Sequence, residues 1–110
     1  MGAERPVAEV RLVLQFRGTA VEDGDEVMEI EDALFEMLSD GETLDGHDVG
    51  AGARNIYILT TAPEATFRRI EPFLVRARLL DAVTAAFRAP ASAAFTIVWP
   101  AGRREPFALA

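Results

Sequence analysis

Asp45-Gly46-His47-Asp48 is the one stretch where side chains able to bind a metal or move a proton stand together, and it holds the only histidine of the chain. Imidazole and carboxylate are the ligand types of zinc, manganese and non-haem iron. On a regular strand alternate residues share a face, so Asp45 and His47 would project together and Asp48 away from them. That pair is the metal candidate, and a three-ligand site would need Glu42 or another element as well. The stricter zinc patterns, His-Glu-x-x-His or paired Cys and His, do not occur. An exposed polar edge strand whose Asp and Gly residues serve turns accounts for the same letters.

Two other chemistries fit this stretch. His47 oriented by Asp45 or Asp48 has the form of a general base, with Ser39, Thr43 or Tyr57 as its partner. Gly46, Gly50 and Gly52, followed by Arg54 and Asn55, offer backbone N–H groups and a cation to an anion. The order is not a P-loop, because no Gly-Lys-Ser/Thr follows and the next element is a strand. A flexible hairpin loop uses glycines in the same way. The binding candidates are therefore Glu42, Asp45, His47, Asp48, Arg54 and Asn55. No catalytic residue and no cofactor is indicated.

The charge is strongly segregated. From Gly18 to Ala53 there are twelve carboxylates and no basic residue, while the rest of the chain carries all eleven arginines against six acids. The net charge of −7 thus joins a block of −12 to a remainder of +5. Concentrated negative charge speeds association with a basic partner. A pI near 4.6 argues against nucleic acid, whose phosphates are held by positive surfaces. The absence of lysine is the ordinary product of a GC-rich bacterial genome.

A length of 110 residues suits one domain with a real core, read here as 1–110 with loops at 1–7 and 101–110. Without cysteine there is no disulfide scaffold, thiolate site or cysteine nucleophile. No signal-peptide core and no apolar run of about 18 residues is present. The expectation is a cytoplasmic protein that touches neither membrane nor nucleic acid.

The elements that must position these side chains follow from periodicity. Val10, Leu12, Leu14 and Phe16 alternate with more polar residues, as in a strand with one buried face, ended by Gly18 and Thr19. Val27, Ile30, Leu34, Met37 and Leu38 make the apolar face of a helix over Asp23–Asp40, with Asp23 as cap and Gly41 as stop. Thr43–Val49 is a weak edge strand, joined through Gly50–Ala53 to the strongly β-forming Asn55–Thr61. Thr61 and Glu64 form a capping box for a second helix, with Phe67, Ile70, Leu74 and Ala77 as its stripe. Pro72 should kink or break that helix. Leu79–Arg88 fits both strand and helix; the turn-like Ala89–Ser92 and the alternating Phe95, Ile97 and Trp99 favour a strand, hairpinned to Ala94–Trp99. Arg103–Pro106 reads as loop.

The order β-α-β-β-α-β-β makes an α+β domain, a ferredoxin-like split-βαβ sandwich of mostly antiparallel strands with two helices on one face. Side by side, an acidic first helix (Glu29, Asp32, Glu36) and a basic second one (Arg68, Arg69, Arg76, Arg78) should exchange ion pairs. Val13, Tyr57 and Leu59 would face the other way, and an open apolar face points to a homodimer, unless Phe107 and Leu109 fold back over it.

The run D-G-H-D-x-G-x-G-x-x-N-I-Y-I-x-T (Asp45–Thr60), the helix start P-E-x-T-F (Pro63–Phe67) and the ending T-I-V-W-P (Thr96–Pro100), behind an acidic helix, resemble a small uncharacterised bacterial ferredoxin-like domain family. The resemblance covers about half the chain. It implies the fold and supports the C-terminal hairpin, and it implies no activity and no catalytic residue.

Three functions compete. The first is a small acidic non-catalytic binding module, in one version an immunity-type protein that neutralises a basic partner. The second is a metal- or ligand-binding protein or enzyme centred on His47. The third is a structural homodimeric subunit.

Overall fold

The alternating segment Val10–Arg17 forms β1, followed by α1 (Gly24–Met37), β2 (Thr43–Gly50), β3 (Ala53–Thr60), α2 (Pro63–Arg76), β4 (Val83–Arg88) and β5 (Thr96–Trp99). The computed structural model describes residues 9–17, 24–50, 52–89, 94–100 and 107. The predicted cap Asp23, the stop at Gly18–Thr19, Leu109 and the Arg103–Pro106 loop lie outside them. Five antiparallel strands form one sheet in the order β2-β3-β1-β4-β5. This is an α+β architecture. Among the described residues no helix is long and apolar enough to cross a membrane.

Both helices pack on the same side of the sheet. Val27, Ile30 and Leu34 of α1 and Phe67, Ile70 and Leu74 of α2 join Leu12, Leu14, Phe16, Ile56, Ile58, Val83 and Ala85 in one buried cluster. Each fully buried aliphatic side chain there contributes about 1.5–3 kcal/mol. Of the helical stripes predicted from spacing, Val27, Ile30, Leu34, Phe67, Ile70 and Leu74 are buried, Met37 and Leu38 are half-buried with Leu38 just beyond α1, and Ala77 is the exposed helix cap.

Helix α2 departs from expectation in two places. Ala62, not Thr61, is the N-cap of α2, and no side chain caps it. Instead the Ala62 N–H donates to Thr60 Oγ1 at 3.0 Å, while Pro63 opens the helix, where its missing donor costs nothing. Nor does Pro72 break α2, which runs unbroken from Pro63 to Arg76. Pro72 lies on the exposed side, where water can satisfy the carbonyl left without a donor, and buried Ile70 and Leu74 anchor the helix on either side of it.

The C-terminal end of α2 is closed by two backbone bonds, Leu79 N–H to Leu74 O at 2.9 Å and Arg78 N–H to Val75 O at 3.1 Å. With Arg78 at φ 59°, this is a Schellman motif. The ambiguous segment then divides: Leu80–Ala82 is a 3₁₀ turn, and the strand begins only at Val83.

The far face of the sheet is not open. Val13 is 1% exposed, and it packs with Tyr57, Ala86 and Phe107, flanked by Phe95 and Ile97. Phe107 folds back over this face and meets Phe95 edge-on at 4.9 Å. The expectation of an uncovered apolar face awaiting a second copy therefore loses its premise. A central strand carries two buried faces, which simple alternation does not reveal.

The helices also do not exchange the expected ion pairs. No ion pair among the described residues joins Glu29, Asp32 or Glu36 to Arg68, Arg69, Arg76 or Arg78. Arg69 pairs instead with Glu42, in the connection between α1 and β2.

Candidate functional site

Gly46 decides where the candidate side chains point. In β2, Leu44 pairs with Ile58 and His47 with Ile56, so three steps on β2 match two on β3. The extra residue makes a bulge, and Gly46 carries it at φ 87°, a conformation that glycine adopts without penalty. A bulge shifts the parity of everything beyond it. Asp45 and His47 therefore do not share a face, contrary to the regular-strand expectation.

His47 lies on the helix side, with Nδ1 2.9 Å from the Glu31 carboxylate of α1. Asp45 lies on the opposite side, 2.9 Å from Arg11 Nη2. Asp48 joins Asp45 there.

On that far side one row of polar residues crosses four strands. Asp48 pairs with Asn55, Asn55 with Gln15, and Gln15 with Thr84. Gln15 Nε2 donates to Asn55 Oδ1 (3.2 Å), and Asn55 Nδ2 donates to Asp48 Oδ1 (2.8 Å). Arg17 Nε donates to Gln15 Oε1 (3.3 Å), and Tyr57 Oη donates to Asp48 Oδ2 (2.6 Å). The donors thus run in one direction and end on a single carboxylate. Gln15 and Asn55 are 2% and 1% exposed, so an unmet donor or acceptor would cost about 1–3 kcal/mol each.

The row also sets the local acid–base properties. Hydrogen bonds from Tyr57, then Asn55, hold Asp48 below the usual carboxylate range. Burial, then the bond to Asp48 and its charge, push Tyr57 up to about 12. Arg11 stacks over the Tyr57 ring, its guanidinium carbon 4.9 Å from the centroid.

Glu42 belongs to a third place. The Ser39–Glu42 turn closes with Glu42 N–H to Ser39 O at 3.0 Å, and Gly41 supplies the positive φ of 87°. From the turn, the Glu42 carboxylate accepts from the Ser39 amide (2.8 Å), the Ser39 hydroxyl (3.1 Å) and Thr66 Oγ1 (2.6 Å), and from the Arg69 guanidinium. Thr60 stands behind Thr66 at 2.8 Å. Burial pushes the Glu42 carboxyl up, but the donors from Thr66, Arg69 and Ser39 outweigh it and hold the pKa at about 2. This cluster fastens the α1–β2 connection to the first turns of α2.

Arg54 completes the set, on the helix side of β3 opposite Phe16 and Val49. It is half-buried and reaches the Ala53 carbonyl at 3.4 Å. Asn55 faces the other way, so Arg54 and Asn55 do not form one anion cradle. The six candidates thus occupy both faces of the sheet and the Ser39–Glu42 turn. Asp45, Asp48 and Asn55 share the far face, while His47 and Arg54 lie on the helix side. Among the described residues, no group of three or more His, Asp or Glu is placed to hold a metal ion.

Residues outside the Glu42–Asn55 stretch supply most of the partners: Arg11, Gln15, Glu31, Thr66 and Arg69. Gln15 falls on the outward positions of the β1 alternation, so its spacing gave no sign that it is buried. Among the described residues, the outer side of α1 is a further exposed feature. Phe35 is 68% exposed and Met28 56%. They are seven residues apart, so they lie on one side of the helix, with Asp32 between them and Glu29 and Glu36 beside them.

No protein-family model, curated protein or solved structure matches this chain.

Proposed function

We propose that this protein is a small acidic binding module without catalysis, and that it docks a basic partner protein on the outer side of α1. The observation that carries this reading is Phe35, an aromatic side chain held in water amid Glu29, Asp32 and Glu36. None of these three acids makes an ion pair among the described residues. Exposed aromatic and Met side chains supply the apolar anchor of an interface, and the surrounding charge supplies attraction and rate. An immunity-type protein that neutralises a basic partner is the concrete version. The sheet order β2-β3-β1-β4-β5, with both helices on one side, supports a ferredoxin-like split-βαβ domain extended by β5, in keeping with the resemblance of the Asp45–Thr60 segment. In this reading the protein works in the cytoplasm, apart from membrane and nucleic acid.

The test is capture from native lysate by the tagged full chain and by a Phe35→Ser/Asp32→Asn variant. A basic protein retained by the wild type, released by salt and lost from the variant supports the reading. Recovery of the bait alone counts against it. The alternative centred on His47 has the His47–Glu31 pair as its support. Metal retained by the wild type and lost in His47→Ala would favour it over docking.

A further inference from the structure

Arg11 and Arg88 stand directly opposite each other on neighbouring strands, on the far face of the sheet, with Leu59 completing the row. Like charges directly opposite each other repel and destabilise the pairing. Each guanidinium is held by an aromatic ring: Arg11 over Tyr57 at 4.9 Å, Arg88 over Phe95 at 5.1 Å. Arg11 also gives one nitrogen to Asp45. No carboxylate among the described residues pairs with Arg88. Glu9 lines the same space but makes no ion pair with either guanidinium.

Between these groups lies a pocket of about 190 Å³, with Val13, Leu59 and Phe95 as its apolar walls. We propose that this pocket binds a small organic acid, its carboxylate on Arg88 and Arg11 and its apolar body against Val13, Leu59 and Phe95. A guanidinium presents parallel N–H donors that match the two oxygens of a carboxylate. The rings that hold both guanidiniums pre-form the site, and the bound anion relieves their repulsion. An anion without an apolar part leaves the walls unused; an apolar molecule without charge leaves the repulsion in place.

The probe is benzoate, titrated into the full chain and followed by NMR, with inorganic phosphate and benzyl alcohol as controls. Benzoate should give saturable shifts at Val13, Leu59 and Phe95, and each control should bind at least about tenfold more weakly, benzyl alcohol for want of the charge-assisted contact and phosphate for want of the apolar one. Arg88→Met should weaken benzoate by about tenfold or more, with Arg88→Lys in between. Arg88 is exposed, and an unchanged amide spectrum away from the pocket shows that both variants are folded. Failure of benzoate to saturate, equal binding of phosphate, or benzoate binding untouched in Arg88→Met overturns the proposal. None of these outcomes bears on docking at α1.

Discussion

Tyr57 donates its hydroxyl to Asp48 over 2.6 Å, reaching diagonally from β3 to the edge strand β2. Asp48 is thereby the terminus of the polar row that begins at Thr84. Because Tyr57 is the only tyrosine, its ionisation can be followed by absorbance alone.

The native phenol should titrate near 12, against the ordinary 10.0. A folded-state pKa above the unfolded one means that the native protein holds the proton longer. The stabilisation is complete below pH 10 and is lost as pH rises towards 12. Asp48→Asn, which removes the negative acceptor, should lower the native midpoint. A wild-type midpoint near 10 in the folded protein would exclude the buried Tyr57–Asp48 bond.

Glu42 gives the opposite pH signature. Its native pKa of about 2 lies below the ordinary 4.5. Its contribution is complete above about pH 5 and disappears as pH falls towards 2. Glu42→Gln should destabilise the protein by about 1–3 kcal/mol at pH 7. Urea denaturation of wild type and variant at pH 7 and pH 3 checks this, and the gap between them should narrow in acid. A gap independent of pH would mean that the carboxylate charge is not what holds the α1–β2 connection to α2.

Gly46→Ala isolates the backbone cost of the bulge. No atom within 4 Å would meet the added methyl group, so only the left-handed φ opposes it. A loss of about 1–2 kcal/mol is expected in equilibrium unfolding. A neutral substitution would show that the bulge does not require glycine.

Phe107→Ala uncovers Val13 and Tyr57 on the far face. The expected cost is about 2–4 kcal/mol, at the lower end for an aromatic core deletion because the residue sits at the margin. The newly exposed apolar surface should also promote self-association, seen as concentration-dependent sedimentation. An unchanged unfolding midpoint and a concentration-independent mass would show that Phe107 contributes nothing to the cover.

The amino-acid sequence alone determined the elements. Alternation at Val10–Phe16, the 3.6-residue stripes of Val27–Leu34 and Phe67–Leu74, and the β-rich Asn55–Thr60 are local patterns, and each formed the element they imply. The hairpin through Gly50–Ala53 and the edge position of β2 were legible for the same reason. Where local signals conflicted, as over Leu79–Arg88, the chain used both in turn.

Only the tertiary structure decided what the candidate residues do. A single extra residue at Gly46 leaves no periodic trace, yet it sends His47 to Glu31 and Asp45 to Arg11 on opposite faces. The donors that hold Glu42 on α2 come from 24 and 27 positions along the chain, and the Gln15–Asn55 bond spans 40. Residue type announces that a carboxylate will seek a donor; which donor it meets depends on strand register and helix packing. The acidic stretch around His47, which looked like one site, is thus divided between two faces and a turn.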